Sequence, residues 1–103
     1  GQCLCGKVKV TVTDKPLICF PTLVCHCTSC KRRSGGIASY AFVVPKQHIQ
    51  IGPAGGVHKV FVDHDTGSGK PMQRTMCVEC GSPVCIIEAE SPDSRCLQFG
   101  LFA

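Results

Sequence analysis

The sequence predicts an all-β protein made of short antiparallel strands, and three observations predict it. Apolar and polar residues alternate with the two-residue period of a half-buried strand, most clearly at Val8, Val10 and Val12. Glycine and proline, 11 and 7 among 103 residues, interrupt the chain at the short intervals that turns require. No segment shows a convincing 3.6-residue apolar repeat, so the sequence indicates no amphipathic helix.

Strand segments follow one another along the whole chain. Residues 17–24 are apolar but contain Pro21, which favours an irregular segment or an edge strand. Residues 25–36 carry a cysteine motif, and residues 63–71 form a polar loop rich in Gly and Asp. The predicted strands cover residues 8–12, 39–44, 49–51, 57–62, 72–77, 84–88 and 95–102.

The length and composition of the chain favour one globular domain spanning residues 1–103. The apolar share of 44% and the charged share of 17% are typical of a folded protein. No apolar run approaches the roughly 18 residues that span a bilayer, and the chain opens on Cys3 and Cys5 without the pattern of a signal peptide. We therefore expect a cytoplasmic protein without a membrane partner, whose exposed edge strands would allow a homodimer.

Ten cysteines in so short a chain indicate either a secreted disulfide scaffold or metal binding in a reducing compartment. Spacing favours metal, because seven of the ten lie in tight clusters that bring their sulfur atoms to one point. A disulfide framework more often spreads its cysteines to join distant loops. The clusters are Cys3-x-Cys5, Cys25-x-Cys27-x-x-Cys30 and Cys77-x-x-Cys80.

The motif from Cys77 to Cys80 is a zinc knuckle. Gly81 follows it, and the backbone freedom of glycine lets N–H groups point at the sulfur atoms. One knuckle supplies two ligands, whereas a structural zinc takes four, and Cys3 with Cys5 is the natural second pair. Such a site would join the N-terminus to the C-terminal half of the chain and close a long loop.

The remaining cluster contains three cysteines, Cys25, Cys27 and Cys30. Three thiolates can hold a second zinc and leave its fourth position open, as in catalytic or ligand-binding sites. His26 could fill that position, but the middle side chain of a C-x-C turn tends to point away, so we favour a surface role for it. Spacing alone does not determine whether the seven clustered cysteines divide into a site of four and a site of three.

A basic run of Lys31, Arg32 and Arg33 follows these three cysteines directly. Cations beside an open thiolate–zinc site would suit an anionic thiol ligand, and a solvated basic turn explains the run equally well. Cys85 and Cys96 lie in apolar surroundings and are predicted to be buried. No catalytic role is predicted for the unclustered residues Cys19, Cys85, Cys96, His48, His58 and His64.

These motifs resemble those of the glutathione-dependent formaldehyde-activating enzyme family. The three cysteine motifs occur in the family's order and cover nearly the whole chain. The resemblance rests on residues 1–6 with Val8 and Val10, on residues 25–30 with Arg33, Ser34 and Gly35, on residues 76–83, and on the pairs Val44-Pro45 and Ile51-Gly52.

The resemblance implies a fold of small antiparallel sheets in a tent-like, zinc-bound β architecture. It implies a structural zinc held by Cys3, Cys5, Cys77 and Cys80. It also implies a second, labile zinc held by Cys25, Cys27 and Cys30 beside the glutathione site. The implied activity is the condensation of formaldehyde with glutathione to S-hydroxymethylglutathione, a carbon–sulfur lyase type of reaction. The implied partners are therefore a small-molecule thiol and an aldehyde.

In the mechanism that we expect, the glutathione sulfur joins the second zinc, its thiol pKa falls, and the thiolate attacks formaldehyde. Lys31, Arg32 or Arg33 would hold the tripeptide carboxylates. The alternatives are a carrier without catalysis, a zinc-dependent lyase or isomerase acting on another metabolite, and a structural zinc interaction module. A nucleic-acid partner is disfavoured, because four thiolates on one Zn²⁺ and three on another would reduce the formal charge from +4 to about +1.

Overall fold

The computed structural model describes residues 1–103 and consists mostly of β-strands, which confirms the predicted fold class. One short helix, α1 (Thr28–Ser34), lies between the second and third strands. The eight strands are β1 (Lys9–Val12), β2 (Thr22–Cys25), β3 (Ser39–Pro45), β4 (Ile49–Gly52), β5 (His58–Asp63), β6 (Met72–Cys77), β7 (Pro83–Glu88) and β8 (Ser94–Gln98).

The strands form two antiparallel sheets. The smaller sheet pairs β1 with β4, and the larger sheet has the order β2-β3-β8-β7-β6-β5. The consecutive strands β5 to β8 are neighbours in the larger sheet. The Cys77–Cys80 knuckle lies at the end of β6 and in the turn that leads to β7. Strand β2 lies at one edge of the sheet and places Cys25 at its end, as the interruption at Pro21 favoured.

The observed strands follow the predicted ones closely, with two differences. The last strand was predicted over residues 95–102, but the observed strand β8 ends at Gln98. The chain continues as a 3₁₀ turn (Phe99–Phe102) that packs Leu101 into the core. Residues 17–24 divide into a 3₁₀ turn (Leu17–Cys19) and the edge strand β2.

Helix α1 was not predicted, and its length explains why. It has seven residues and buries only Cys30, so it leaves no repeating apolar pattern in the sequence. Its ends carry local signals instead. The Cys27 sulfur accepts the N–H of Cys30 at the N-terminus, and Gly35 at φ 71° ends the helix with its N–H bonded to the Lys31 carbonyl.

The buried residues form two clusters, and the larger one lies between the two sheets. Alternation places Val8 and Val10 inward at 0% and 1% exposure, against Val44, Val84 and Leu97 of the larger sheet. A smaller cluster of Ala41, Ile86 and Cys96 lies towards the other face of the larger sheet, with Met72 packed against it. Cys85 and Cys96 are buried, as predicted.

Among the helices of the structure, none has the length and apolar character needed to cross a membrane.

Candidate metal centre and adjoining cleft

Cys3, Cys5, Cys77 and Cys80 bring their four sulfur atoms within 4.8 Å of one another. The Cys3–Cys5 and Cys5–Cys77 sulfur separations are 3.5 and 3.7 Å. Sulfurs bound about 2.3 Å from a tetrahedral zinc would be about 3.8 Å apart, whereas a disulfide would join them at about 2.05 Å. The sulfur atoms therefore fit one tetrahedral metal ion, and all ten cysteines are free.

The N-terminal segment reaches this cluster, which we call the four-cysteine site, through backbone contacts. The Val10 N–H donates to the Gly1 carbonyl at 2.8 Å, and the Leu4 N–H donates to Ser82 Oγ at 3.0 Å. Gly6 and Gly81 take φ values of 75° and 72°, so both cysteine turns need the left-handed backbone that glycine permits. These turns hold together two halves of the chain.

Polar groups around the four-cysteine site favour the thiolate form at Cys3 and Cys80. The Val8 N–H donates to Cys3 Sγ at 3.2 Å. The hydroxyl of Ser82 lies 3.2 Å from Cys80 Sγ, and hydrogen bonds from Ser82 lower the pKa of Cys80 to about 5. At Cys5 the Lys7 N–H lowers the pKa, but burial and the neighbouring cysteines outweigh it and raise the pKa to about 12. Thiolates are the form that binds metal, so Cys80 is the ligand of this site that its surroundings best prepare for a cation.

Cys25, Cys27 and Cys30 form the second cluster, which we call the triad. Their sulfur atoms also lie within 4.8 Å of one another. Cys25 ends β2, Cys27 precedes α1, and Cys30 lies in its first turn, so the strand-to-helix connection assembles the triad locally. Three sulfur donors supply all but one of the ligands of a tetrahedral ion.

The three sulfur environments of the triad differ. Cys27 is exposed, Cys25 is half-buried and Cys30 is buried. Burial raises the pKa of the Cys30 thiol to about 12, whereas the N–H of Cys30 lowers the pKa of Cys27. The triad is therefore open to solvent on the Cys27 side and closed on the Cys30 side.

A recess of about 60 Å³ lies directly beside the triad. Its apolar lining includes Ala41, Ile86 and Cys96. Its polar lining includes Ser39 and Gln98, which are buried and joined by a hydrogen bond from Ser39 Oγ to Gln98 Oε1 at 2.9 Å. This volume admits a molecule of a few heavy atoms next to the sulfurs.

A larger cleft of about 500 Å³ lies between α1 and the strands β5 and β6. Arg32, Arg33 and Arg74 line it together with Asp63 and Asp65, which gives these five side chains a formal net charge of +1. Arg74 joins the cleft to the triad, because its Nη1 lies 3.8 Å from Cys30 Sγ. The cleft therefore offers an anionic ligand a weakly positive surface next to the sulfur cluster.

The predicted basic run is divided by the structure. Lys31 and Arg32 are exposed, and Arg32 lines the cleft. Arg33 turns inward and donates to the Thr75 carbonyl at 3.3 Å, while its Nε and Nη1 groups are buried without a partner. Burial, followed by the charge of Arg74, lowers the pKa of Arg33. The main contact of Arg33 is therefore the hydrogen bond that links α1 to β6.

Sequence reasoning missed Arg74 and Asp63. Neither lies inside a cysteine motif, and Asp63 begins the polar loop predicted over residues 63–71, where an acidic residue is unremarkable. Strand register brings them together, because Phe61 of β5 pairs with Arg74 of β6 and Asp63 lies two residues further along. The even spacing of Met72, Arg74 and Met76 within one strand was the available signal, because an arginine at an inward position of a strand needs a partner.

The other candidates, including His26 within the triad motif, contribute no atom to either sulfur cluster. His26 is exposed, and its Nδ1 lies 3.2 Å from the Ile37 carbonyl. Cys19 is exposed, and its sulfur belongs to neither cluster. His48 lies 2.7 Å from Asp14 at the small sheet.

The fold and the two clusters define a class of protein: a small antiparallel β protein whose cysteines form one complete and one incomplete tetrahedral ligand set that could hold metal ions. The sequence model of the family described as "Glutathione-dependent formaldehyde-activating enzyme" matches residues 1–103. The chain therefore belongs to the glutathione-dependent formaldehyde-activating enzyme family, and the resemblance carried by the cysteine motifs is confirmed.

The fold is also similar to the crystal structure of a Rhodobacter sphaeroides protein. The TM-score is 0.73 at 17% sequence identity, over 98% of this chain and 84% of that chain. At this identity the likeness concerns the fold alone. No curated protein matches the chain.

Proposed function

We propose that the protein binds glutathione beside the triad and condenses it with formaldehyde to S-hydroxymethylglutathione, as a zinc-dependent carbon–sulfur lyase. The observation that carries the proposal is the triad itself, which offers three sulfur donors of a tetrahedral set beside a cleft with positive side chains. Membership of the family supports both glutathione and formaldehyde as substrates.

The donor sets fit zinc. Both clusters consist of thiol sulfur alone, and soft thiolates in a tetrahedral arrangement are typical ligands of Zn²⁺. In this proposal Cys3, Cys5, Cys77 and Cys80 hold a structural ion, and Cys25, Cys27 and Cys30 hold a labile one. A zinc in the triad would supply positive charge that lowers the pKa of a nearby thiol.

The side chains of the cleft bind and orient the tripeptide. Arg32 is exposed and lines the cleft, so its guanidinium pairs with a glutathione carboxylate, and Lys31 on the same short helix adds a second positive charge. The recess beside the triad takes the one-carbon aldehyde, with Ser39, Glu88 and Gln98 as its polar groups. Cys27 is the exposed sulfur of the triad, so the thiol and the aldehyde would meet on its side.

The reaction balances without any further reactant. The glutathione thiol loses its proton, its sulfur forms a bond to the aldehyde carbon, and the C=O π electrons move to the oxygen. That oxygen then takes up one proton, so the product contains all the atoms of the two substrates. The protein has to position the substrates and stabilise the thiolate, and no oxidant or reductant is needed.

A carrier that binds glutathione or its adduct without accelerating the reaction is the second candidate. The observation that favours it is that no carboxylate or imidazole is hydrogen-bonded to any of the three sulfurs, although Glu88 lines the recess beside them. A zinc-dependent lyase or isomerase acting on another thiol conjugate would use the same geometry with a different occupant of the cleft.

The free cysteines suit a reducing compartment, and we propose a cytoplasmic protein whose 103 residues form one domain. The four-cysteine site supports a single domain, because it joins the first residues of the chain to the β6–β7 turn. The proposed partners are a small thiol and a small aldehyde.

Two measurements together test the proposal. Calorimetric titration gives the affinity for glutathione, and NMR exchange between glutathione and S-hydroxymethylglutathione gives the rate of condensation relative to the uncatalysed reaction. We expect the wild type to bind glutathione and to accelerate exchange, and Cys27→Ser to lose most of both. Cys19→Ser is the matched control, because Cys19 is also exposed but lies outside both clusters.

The outcomes separate the candidates. Binding without acceleration would establish the carrier, and neither binding nor acceleration would reject glutathione as the substrate. Equal behaviour of Cys27→Ser and the wild type would remove the triad from the function. S-methylglutathione, which has the carboxylates but no free thiol, shows how much of the affinity depends on sulfur.

A further inference from the structure

Arg74 is a buried arginine that contacts the triad. It is 4% exposed, and all three of its guanidinium nitrogens have partners. Nε donates to Asp63 Oδ2 at 2.7 Å, Nη1 donates to Cys30 Sγ at 3.8 Å, and Nη2 donates to Met72 Sδ at 3.9 Å. The guanidinium thus lies between one carboxylate and one triad sulfur.

Asp63, the partner of Arg74, is itself fixed. Its Oδ1 accepts the N–H of Asp65 at 3.1 Å, and the carbonyl of Asp65 accepts the hydroxyl of Ser29 at 3.2 Å. Ser29 precedes Cys30 in α1, so the contacts close a ring from Cys30 through β6, the end of β5 and the polar loop back to α1. The orientation of Arg74 is therefore determined from both sides.

A buried arginine–aspartate pair is costly to keep for stability alone. Desolvating two charges offsets most of their attraction, and apolar residues of similar volume often serve as well or better. The pair touches Cys30, the one buried sulfur of the triad, whereas Cys25 and Cys27 have solvent access. The position of the charge next to that sulfur thus indicates a role at the triad.

Arg33, the nearest comparable residue, makes a different set of contacts. Its Nη2 donates to the Thr75 carbonyl, and none of its hydrogen bonds reaches a sulfur. The two arginines therefore differ in their contacts: Arg33 links α1 to the sheet, and Arg74 donates to a sulfur of the triad.

We propose that Arg74 is a positioning residue for Cys30: held by Asp63, its guanidinium donates to the Cys30 sulfur and strengthens metal binding by the triad. The inference rests on the proposed function, in which the triad holds a metal. Three thiolates around a divalent ion carry a net charge of −1, which a fixed cation and an N–H donor beside the sulfur stabilise. Partners of this kind, one step behind the ligands, typically change metal affinity by about 10–100-fold.

The test is a zinc titration of the full chain against a chromophoric chelator, which resolves the tighter and the weaker site. The main variant is Arg74→Lys, which keeps a positive charge opposite Asp63 but cannot span both Asp63 and the Cys30 sulfur. Asp63→Asn combined with Arg74→Gln removes both charges together, so neither is left buried alone. Arg95→Lys is the matched control, because Arg95 bonds only to the carbonyls of Pro92 and Ser94.

We expect Arg74→Lys to weaken the triad site by about 10–100-fold while the four-cysteine site, the internal reference, keeps its affinity. The thiolate-to-cobalt absorption of Co²⁺-loaded protein should change for the triad ion alone. Unchanged triad affinity in Arg74→Lys and in the double variant would overturn the inference, and so would equal weakening of both sites, which would mean a structural role. If Arg74→Lys does not fold, the double variant decides.

The wild type separates this inference from the proposed function. A wild-type chain that takes up a single metal ion would reject the metal-binding triad and the role of Arg74 with it. A wild-type chain that takes up two, with variants that do the same at equal affinity, would reject the role of Arg74 alone.

Discussion

The four-cysteine site and the triad use the same ligand chemistry but are built from different lengths of chain. In the four-cysteine site, Cys5 and Cys77 are 72 positions apart and their sulfurs are 3.7 Å apart. The triad lies within residues 25–30, at one strand-to-helix connection. A metal in the first site closes a long loop, whereas a metal in the second constrains only a few residues that are already folded.

The surroundings of the two clusters differ as well. Cys3 and Cys77 belong to the ten-residue core between the sheets. The triad lies beside a core of only three buried residues and borders a recess and a cleft. The comparison teaches that sulfur donors alone do not decide the role of a site. From the chain separation we expect the four-cysteine site to govern stability, and from the solvent access we expect the triad to be the site of exchange.

The largest effect should follow from breaking the four-cysteine site. Cys77→Ser removes a buried ligand that joins both halves of the chain. We expect the free energy of unfolding to fall by at least about 3 kcal/mol, because a structural zinc contributes about 10–16 kcal/mol of apparent binding energy. Thermal unfolding followed by circular dichroism, with metal content determined in parallel, measures the change.

Cys19→Ser is the matched control for this experiment. Cys19 is exposed and outside both clusters, so its hydroxyl replacement should leave the midpoint and the metal content unchanged. A Cys77→Ser protein that unfolds cooperatively at the wild-type midpoint would contradict the structural role of the site.

The next effect concerns the apolar core shared with the four-cysteine site. Leu97 is fully buried, so Leu97→Ala should lower the free energy of unfolding by about 2–5 kcal/mol through lost burial and the cavity left behind. Ile86→Val in the smaller core should cost only about 0.5–1.5 kcal/mol. Urea unfolding measures both, and the metal content of Leu97→Ala should stay at the wild-type value. A loss below that of Ile86→Val would mean that the main core lies elsewhere.

A smaller effect on stability is expected at the triad. Cys27→Ser changes an exposed sulfur within a locally formed site, so about one metal equivalent should be lost while the unfolding midpoint moves far less than in Cys77→Ser. Native mass spectrometry counts the ions, and a weak chelator applied to the wild type should remove the same equivalent first. A large fall in the midpoint would show that the two sites are equally structural.

The smallest effect lies outside both clusters and gives a baseline. Lys70 Nζ is 2.7 Å from Glu90 Oε1, and this hydrogen bond lowers the pKa of Glu90 below its ordinary value of 4.5. A depressed carboxyl pKa stabilises the fold above pH 4.5, and the contribution disappears as the pH falls through the lowered value. Glu90→Gln should therefore be slightly less stable than the wild type at pH 7, since exposed pairs contribute little, and the difference should shrink as the pH falls below 4.5. A difference that does not shrink on acidification would contradict an electrostatic origin.

Much of the fold and of the metal-ligand clusters could be predicted because their signals are local. Alternation at Val8 and Val10 determines which face of β1 is buried, and the C-x-x-C spacing with Gly81 determines a turn that presents two sulfurs. Helix α1 escaped prediction because it buries a single residue, and a repeat cannot be seen in one position.

The sequence by itself determined the strand pattern, the cysteine clusters and the family to which they belong. Only the tertiary structure decided that Arg74 and Asp63 meet beside Cys30, that Arg33 turns inward, and that Arg32 remains free at the cleft. The physical reason is sequence distance. Periodicity and motif spacing act over a few residues, whereas the partner of a buried charge is chosen by strand register and by how the helix lies on the sheet.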